Sequence, residues 1–183
     1  MTDVLLERTF DPPIDPQAVL NMAVDAVECF ELRRVDWFGS LLATDGGRMV
    51  CWFRGPDAES ARGALRESGA DVSVLWPATV HDAPRPPASE PGDVYVMVGR
   101  RFDTPVTVDE IQAIEDAGAW CLETRGVQFV RTFFSRERKR MLCLYRAPDV
   151  EAVRQAQRPA GLPVESVWAC TYVHPVFPAP PPA

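Results

Sequence analysis

The sequence has few histidines and few lysines. It contains two histidines, a single lysine among its 19 basic residues, and no CxxC pair. The formal net charge of -7 argues against a general nucleic-acid binder, because phosphate neutralisation needs a surplus of basic residues on one face. Glycine-rich phosphate loops and the motifs G-x-S-x-G and H-E-x-x-H are also absent, which argues against nucleotide-dependent enzymes and hydrolases with a catalytic triad.

Long apolar runs and an export signal are missing as well. No segment approaches the roughly 18 apolar residues of a membrane-spanning helix, and Met1-Thr2-Asp3 does not open a signal sequence. We therefore expect a cytoplasmic protein that has neither a membrane nor a nucleic acid as partner. What the 183-residue chain does have is 46% apolar residues, enough to bury one large core or two small ones.

An internal repeat organises the whole chain. At an offset of 92 residues, without a gap, 23 of the 79 positions from 2 to 80 are identical, among them Arg8/Arg100 and Cys51/Cys143. The segment between the copies and the end of the chain are both rich in proline, which continues neither a helix nor a sheet. We predict the following ranges: a first repeat over 1–82, a Pro-rich linker over 83–93, a second repeat over 94–175 and a Pro-rich tail over 176–183.

Each copy has the same order of predicted elements, which is clearest in the second. A strand over 93–102 precedes a helix over 108–125, for which Thr107 is the predicted N-cap and Gly126 the stop. Two strands, over 127–135 and 141–146, are followed by a helix that begins at Asp149 and by a strand over 164–173. The order βαββαβ is that of the ferredoxin-like plait.

The predicted strands are apolar on both faces, as strands buried on both sides are. The helices of a plait cover one face of its sheet, so the other face needs a partner. We predict an α+β fold with two tandem ferredoxin-like plaits packed sheet to sheet as a pseudo-dimer, of the dimeric α+β barrel type. A homodimer of whole chains would bury the same faces, so a monomeric pseudo-dimer and a homodimer both stay open.

The cysteines have a simpler interpretation. Because no export signal is present, we expect free thiols rather than disulfides. Cys29 and Cys121 fall on predicted helices, and Cys51 and Cys143 on predicted strands. A small hydrophobic residue in a helix–sheet core is the usual role of such a cysteine.

Four segments resemble a known bacterial family. They are VLLERTF at 4–10, GVQFVR at 126–131, CLYRAPD at 143–149 and AGLP at 160–163. They resemble the nickel-binding-protein-like family, whose members are mostly catalogued as a domain of unknown function. The resemblance covers nearly the whole chain, twice. It implies a small, dimeric, ferredoxin-like protein that binds nickel or another divalent transition metal, and it implies no reaction.

Three residues are candidate metal ligands. His81 and His174 each follow a predicted fourth strand, and Asp82 matches His174 in the repeat register. Imidazole and carboxylate are ligands that nickel and similar ions accept. Neither histidine has a second histidine or a cysteine at ligand spacing, so the alternative is that both are ordinary surface residues.

A cavity on the uncovered sheet face is the other candidate site. Strand alternation places Glu7 and Arg101 on that face, where Glu7 would be an acid or base and Arg101 a cationic anchor. An ion pair between the two is the structural alternative. The predicted lining residues of this cavity are Thr9, Trp37, Tyr95, Phe129, Arg131 and Tyr145.

Two function classes follow from these patterns. The first is a small cytoplasmic protein that binds a ligand or a metal ion. The alternative is a cofactor-free enzyme of the isomerase, cyclase or monooxygenase type, acting on a small apolar metabolite in the cavity between the two sheets.

Overall fold

The computed structural model describes residues 1–84 and 92–174, except for the side chains of 115–119 and 160. Most of the predicted linker and all of the predicted tail therefore lie outside the described residues. Two compact units are present, which we describe separately. The first unit is Met1–Trp76 together with residues 172–174, and the second unit is Pro77–Thr171.

The first unit contains three paired antiparallel strands, with three helices over one face. Its elements are β1 (Thr2–Thr9), α1 (Pro16–Asp25), α2 (Val27–Leu32), β2 (Asp36–Ala43), β3 (Arg48–Gly55), α3 (Ala58–Glu67) and the start of β4 (Val74–Asp82). β3 lies between β1 and β2, antiparallel to both. Alternate strand residues such as Val4, Leu6 and Cys51 form the core with Val19 and Leu65 of the helices.

Local sequence explains where these elements begin. The Asp15 carboxylate accepts a hydrogen bond from the Ala18 amide at 2.8 Å, and Pro16 fits the first turn of α1. Between β2 and β3, Gly46 takes a φ of +72° in the Asp45-Gly46-Gly47 turn, a backbone conformation that glycine adopts without strain. The predicted first helix is interrupted at Ala26, whose side chain is buried in the core between α1 and α2.

The second unit has a five-stranded antiparallel sheet in the order β4-β6-β7-β5-β8. Its elements are residues 77–82 of β4, β5 (Val94–Arg101), α4 (Val108–Glu123), β6 (Gln128–Ser135), β7 (Arg140–Ala147), α5 (Val150–Gln157), a 3-10 turn (Arg158–Ala160) and residues 166–171 of β8 (Ser166–Val173). Val96, Val98, Cys143 and Tyr145 point from the sheet into a core that includes Val153 of α5.

The caps of the second unit are those that the sequence predicts. Thr107 and Glu110 form a reciprocal capping box at the start of α4, and Asp149 accepts a hydrogen bond from the Ala152 amide at 2.7 Å. Gly126, with a φ of +64°, follows the end of α4. The βαββαβ order of elements in each copy is confirmed.

The cysteines are free thiols. Cys51, Cys121 and Cys143 are buried, which confirms their predicted role as core residues. Cys170 is also buried, and Cys29 is half-buried. Among the helices of the described residues, none is both long and apolar enough to cross a membrane.

Candidate functional site

Each unit has a cavity between its helices and its sheet. The cavity volume is about 180 Å³ in the first unit and about 400 Å³ in the second. Six pairs of lining residues occupy equivalent repeat positions: Val19/Ile111, Phe30/Leu122, Trp37/Phe129, Ser40/Thr132, Met49/Met141 and Phe53/Tyr145. The two copies therefore share one cavity position, and the second cavity has about twice the volume of the first.

The second cavity has mostly apolar walls. It lies between α4 and the strands β6 and β7, with the end of β4 at one side. Ile111 and Leu122 of α4 face Phe134 and Met141 of the sheet, and the rings of Phe129 and Tyr145 meet edge to face with centroids 6.0 Å apart. A space of this volume and lining suits an apolar or aromatic molecule.

The polar groups of the second cavity come from β4 and β6. The Nε2 atom of His81 lies 2.9 Å from the hydroxyl of Thr79, and Asp82 forms an ion pair with Arg131. Thr132 is buried and donates to the Sγ atom of Cys143 at 3.3 Å. The cavity thus has hydrogen-bonding groups at the β4 end and apolar residues along its length.

Arg100 is a buried cation of the second unit. Its side chain lies on the helix-covered face of β5 and is 1% exposed. It donates to the Gln157 side chain and, at 3.1 Å, to the Pro163 carbonyl. Burial alone would lower the pKa of Arg100, but its interactions with Cys143 and Tyr145 outweigh burial and raise that pKa, so the guanidinium stays charged. Sequence patterns do not identify this residue as a buried cation, although its identity with Arg8 in the repeat is a usable signal.

The first cavity has a smaller polar cluster. Trp37 donates to the Ser40 hydroxyl at 3.1 Å, and that hydroxyl donates to the Sγ atom of Cys51 at 3.0 Å. Burial raises the pKa of the Cys51 thiol to about 11, so the thiol is protonated at neutral pH. Arg8, the counterpart of Arg100, lines this cavity and is half-buried.

The two predicted catalytic residues have separate surroundings. Glu7 accepts a hydrogen bond from the indole nitrogen of Trp76 at 2.8 Å, within the first unit. Arg101 forms a 3.0 Å ion pair with Glu165 in the second unit, and its side chain is 57% exposed. The predicted burial of Arg101 is therefore wrong, because the residue ends its strand beside an exposed carboxylate. A pair between Glu7 and Arg101 stays a prediction.

The predicted cavity residues are divided between different places. Trp37 lines the first cavity, and Phe129 and Tyr145 line the second. All three face the helices rather than the uncovered sheet face, which corrects their predicted orientation; Tyr145 shares its side of β7 with Cys143, which points into the helix-covered core.

The other three predicted lining residues are not in either cavity. Thr9 is exposed at the end of β1, and Arg131 is engaged by Asp82. The ring of Tyr95 lies under the guanidinium of Arg146, at 5.1 Å from the ring centroid. A cavity between the two sheets stays a prediction.

The predicted metal ligands do not fit a nickel site. In the part of the chain that the structure describes, no three histidine, cysteine, aspartate or glutamate side chains come together. His81 contacts Thr79, Asp82 pairs with Arg131, and the exposed ring of His174 lies 5.5 Å from that of Tyr172.

The sequence of the second repeat matches a known family. A family model described as "Nickel responsive protein SCO4226-like" covers residues 96–170. The second repeat resembles the nickel-responsive SCO4226-like family. This match confirms the resemblance inferred from the sequence, and it falls on the repeat with the larger cavity. The crystal structure of SCO4226 from Streptomyces coelicolor A3(2) is 20% identical over 40% of this chain and 90% of that chain, with a TM-score of 0.37.

Other solved structures match nearly the whole chain. The putative chlorite dismutase TA0507 is 14% identical, with a TM-score of 0.52 over 94% of each chain. Chlorite dismutase from Candidatus Nitrospira defluvii, in complex with imidazole, is 9% identical, with a TM-score of 0.53 over 95% of this chain and 90% of that chain. These likenesses confirm the predicted α+β fold of the dimeric α+β barrel type. No curated protein sequence matches the chain.

Proposed function

We propose that the protein binds a small, largely apolar molecule in the cavity of the second unit. The observation that carries this proposal is a cavity of about 400 Å³ with apolar walls and a few polar groups at one end. Small-molecule sites in proteins have this composition, in which apolar surface supplies affinity and a few polar atoms fix orientation.

The lining residues limit the chemistry of the ligand. Phe129, Phe134 and Tyr145 favour a planar or aromatic body, since their rings pack on flat surfaces. His81, at the β4 end, offers a ring nitrogen to a hydroxyl or carbonyl group. The best match is therefore a neutral aromatic compound with one hydrogen-bonding group.

Binding of 2-naphthol, followed by its fluorescence, tests the proposal. Ile111→Phe extends a side chain into the second cavity, and Val19→Phe makes a matched change at the equivalent position of the first. We expect Ile111→Phe to weaken binding about tenfold, a loss of about 1.4 kcal/mol, and Val19→Phe to change it less than about twofold. Equal effects of the two variants, or no binding to the wild type, would contradict the proposal.

Metal binding is a second candidate, favoured by the match of residues 96–170 to a nickel-responsive family. Metal analysis after loading with nickel, zinc, copper or iron tests it. Less than about 0.2 equivalents of every metal would exclude a resident metal site. A stoichiometric metal that His81→Ala removes would instead place His81 among the ligands.

A cofactor-free enzyme stays an alternative prediction. Its proposed acid or base, Glu7, is held by Trp76, and its proposed anchor, Arg101, is exposed. Neither residue lines the cavity of the second unit.

A further inference from the structure

The cavity of the first unit contains a cation that the described residues leave largely unpaired. We infer that this cavity is a separate binding site for a small carboxylic acid, in which Arg8 binds the carboxylate. The inference concerns different residues from the proposed site of the second unit and does not depend on that site.

The contacts of Arg8 are weak for a guanidinium. Its Nη1 atom donates to the Sδ atom of Met22 at 3.5 Å, and its Cζ atom lies 4.9 Å from the centroid of the Phe10 ring. No carboxylate or carbonyl oxygen among the described residues accepts a hydrogen bond from Arg8. A guanidinium has five N–H donors and a thioether is a poor acceptor, so most of this binding capacity is available to a ligand.

The repeat shows why Arg8 lacks the internal partner that Arg100 has. Arg100, at the equivalent position of the second copy, donates to the side-chain oxygen of Gln157. The residue of the first copy that corresponds to Gln157 is Leu65, which lines the first cavity and has no polar atom. The two copies thus hold the same arginine in two states: in the second an amide pairs with it, whereas in the first a cavity lies beside it.

The shape and charge of the cavity select a compact monoanion. The guanidinium fork matches a carboxylate, which accepts two parallel hydrogen bonds. Leu6, Val19, Phe30 and Phe53 provide apolar walls, and apolar cavities of about 150 Å³ accept benzene, so about 180 Å³ admits one ring with a carboxylate. Asp25, the acidic residue among the lining residues, is exposed and disfavours a doubly charged phosphate ester.

Titration calorimetry with benzoate and with benzyl alcohol tests the role of charge, because the two probes have similar shapes. We expect wild-type protein to bind benzoate at least tenfold more tightly than benzyl alcohol. Arg8→Met should remove that preference and keep the apolar stem, whereas Arg66→Gln, which removes an exposed arginine of the same unit outside the cavity, should leave it unchanged within about twofold. Equal binding of the two probes by the wild type, or an unchanged preference in Arg8→Met, overturns the inference.

A second variant tests the inference without removing Arg8. Leu65→Gln gives Arg8 the amide that Arg100 has, so we expect it to weaken benzoate about tenfold and to change benzyl alcohol by less than about twofold. If Arg8→Met fails to fold, Leu65→Gln alone tests whether Arg8 binds the carboxylate.

A third pair of variants tests which cavity binds benzoate. Val19→Phe should abolish benzoate binding, and Ile111→Phe should not. The reverse pattern places benzoate in the second unit and refutes a site at Arg8, while leaving the proposed function standing.

Discussion

Replacing Gln157 with leucine tests how the fold accommodates the buried charge of Arg100. Gln157 is 5% exposed and Arg100 is 1% exposed, so neither group reaches bulk water. Leucine is close to glutamine in volume, and the main change is therefore the loss of the oxygen that accepts from Arg100. A hydrogen bond to a charged group contributes about 1.5–3 kcal/mol, and a buried ion that loses a partner costs more. We expect Gln157→Leu to lower the free energy of unfolding by about 3 kcal/mol.

Urea denaturation followed by circular dichroism measures this loss. The matched control is Gln155→Leu on the same helix, because Gln155 is exposed and its side chain donates to the exposed carboxylate of Glu151 at 3.3 Å. The control should change the free energy of unfolding by less than about 0.5 kcal/mol, as surface substitutions usually do. Equal effects of the two substitutions, or a loss below about 0.5 kcal/mol for Gln157→Leu, would show that the amide does not stabilise Arg100.

Two further predictions concern the first unit. Gly39 has a φ of +134°, and an added Cβ would lie 2.7 Å from the Cε2 atom of Tyr172 and 2.9 Å from the Val173 carbonyl oxygen. Gly39→Ala should therefore lower the free energy of unfolding, measured by thermal denaturation, by about 2 kcal/mol or more. The control Gly47→Ala, where the atom nearest to the added Cβ is 3.4 Å away, should lower it by less than about 1 kcal/mol, and equal losses would contradict this prediction. Because burial raises the pKa of Cys51 from 9.0 to about 11, the folded state holds the thiol proton more tightly than the unfolded state does. This difference in pKa contributes about 3 kcal/mol to the free energy of unfolding below pH 9, and the contribution is lost as the pH rises towards 11. Cys51→Ala should therefore flatten the alkaline part of the stability profile measured by urea denaturation. An unchanged profile would refute the raised pKa of Cys51.

The sequence predicts the order of elements because its signals are local and occur twice. Thr107 and Asp149 are caps that act within one helical turn, and Gly126 is a stop whose φ can be inferred from residue type. The repeat register then transfers these assignments from one copy to the other.

The candidate sites were harder to predict because they depend on contacts that are distant in sequence. Strand alternation separates Arg100 from Arg101 but cannot show which of them has an internal partner, and Gln157 is 57 residues from Arg100. The apolar pattern of a strand identifies the sheet face that the helices cover, but it does not give the volume of the cavity that remains between helices and sheet. The sequence therefore predicts Phe129 and Tyr145 in a cavity on the uncovered sheet face, whereas both line the cavity on the helix-covered face.

The membership of Tyr172 and Val173 in the first unit has a consequence for folding during synthesis. Val173 is part of the first core, and the hydroxyl of Tyr172 donates to the Phe38 carbonyl at 2.6 Å. The ribosome makes these residues roughly a hundred codons after Trp76, a delay of about 5–20 s at ordinary elongation rates. Until these residues are synthesised, the core of the first unit is incomplete, and its exposed apolar side chains are accessible to chaperones and proteases.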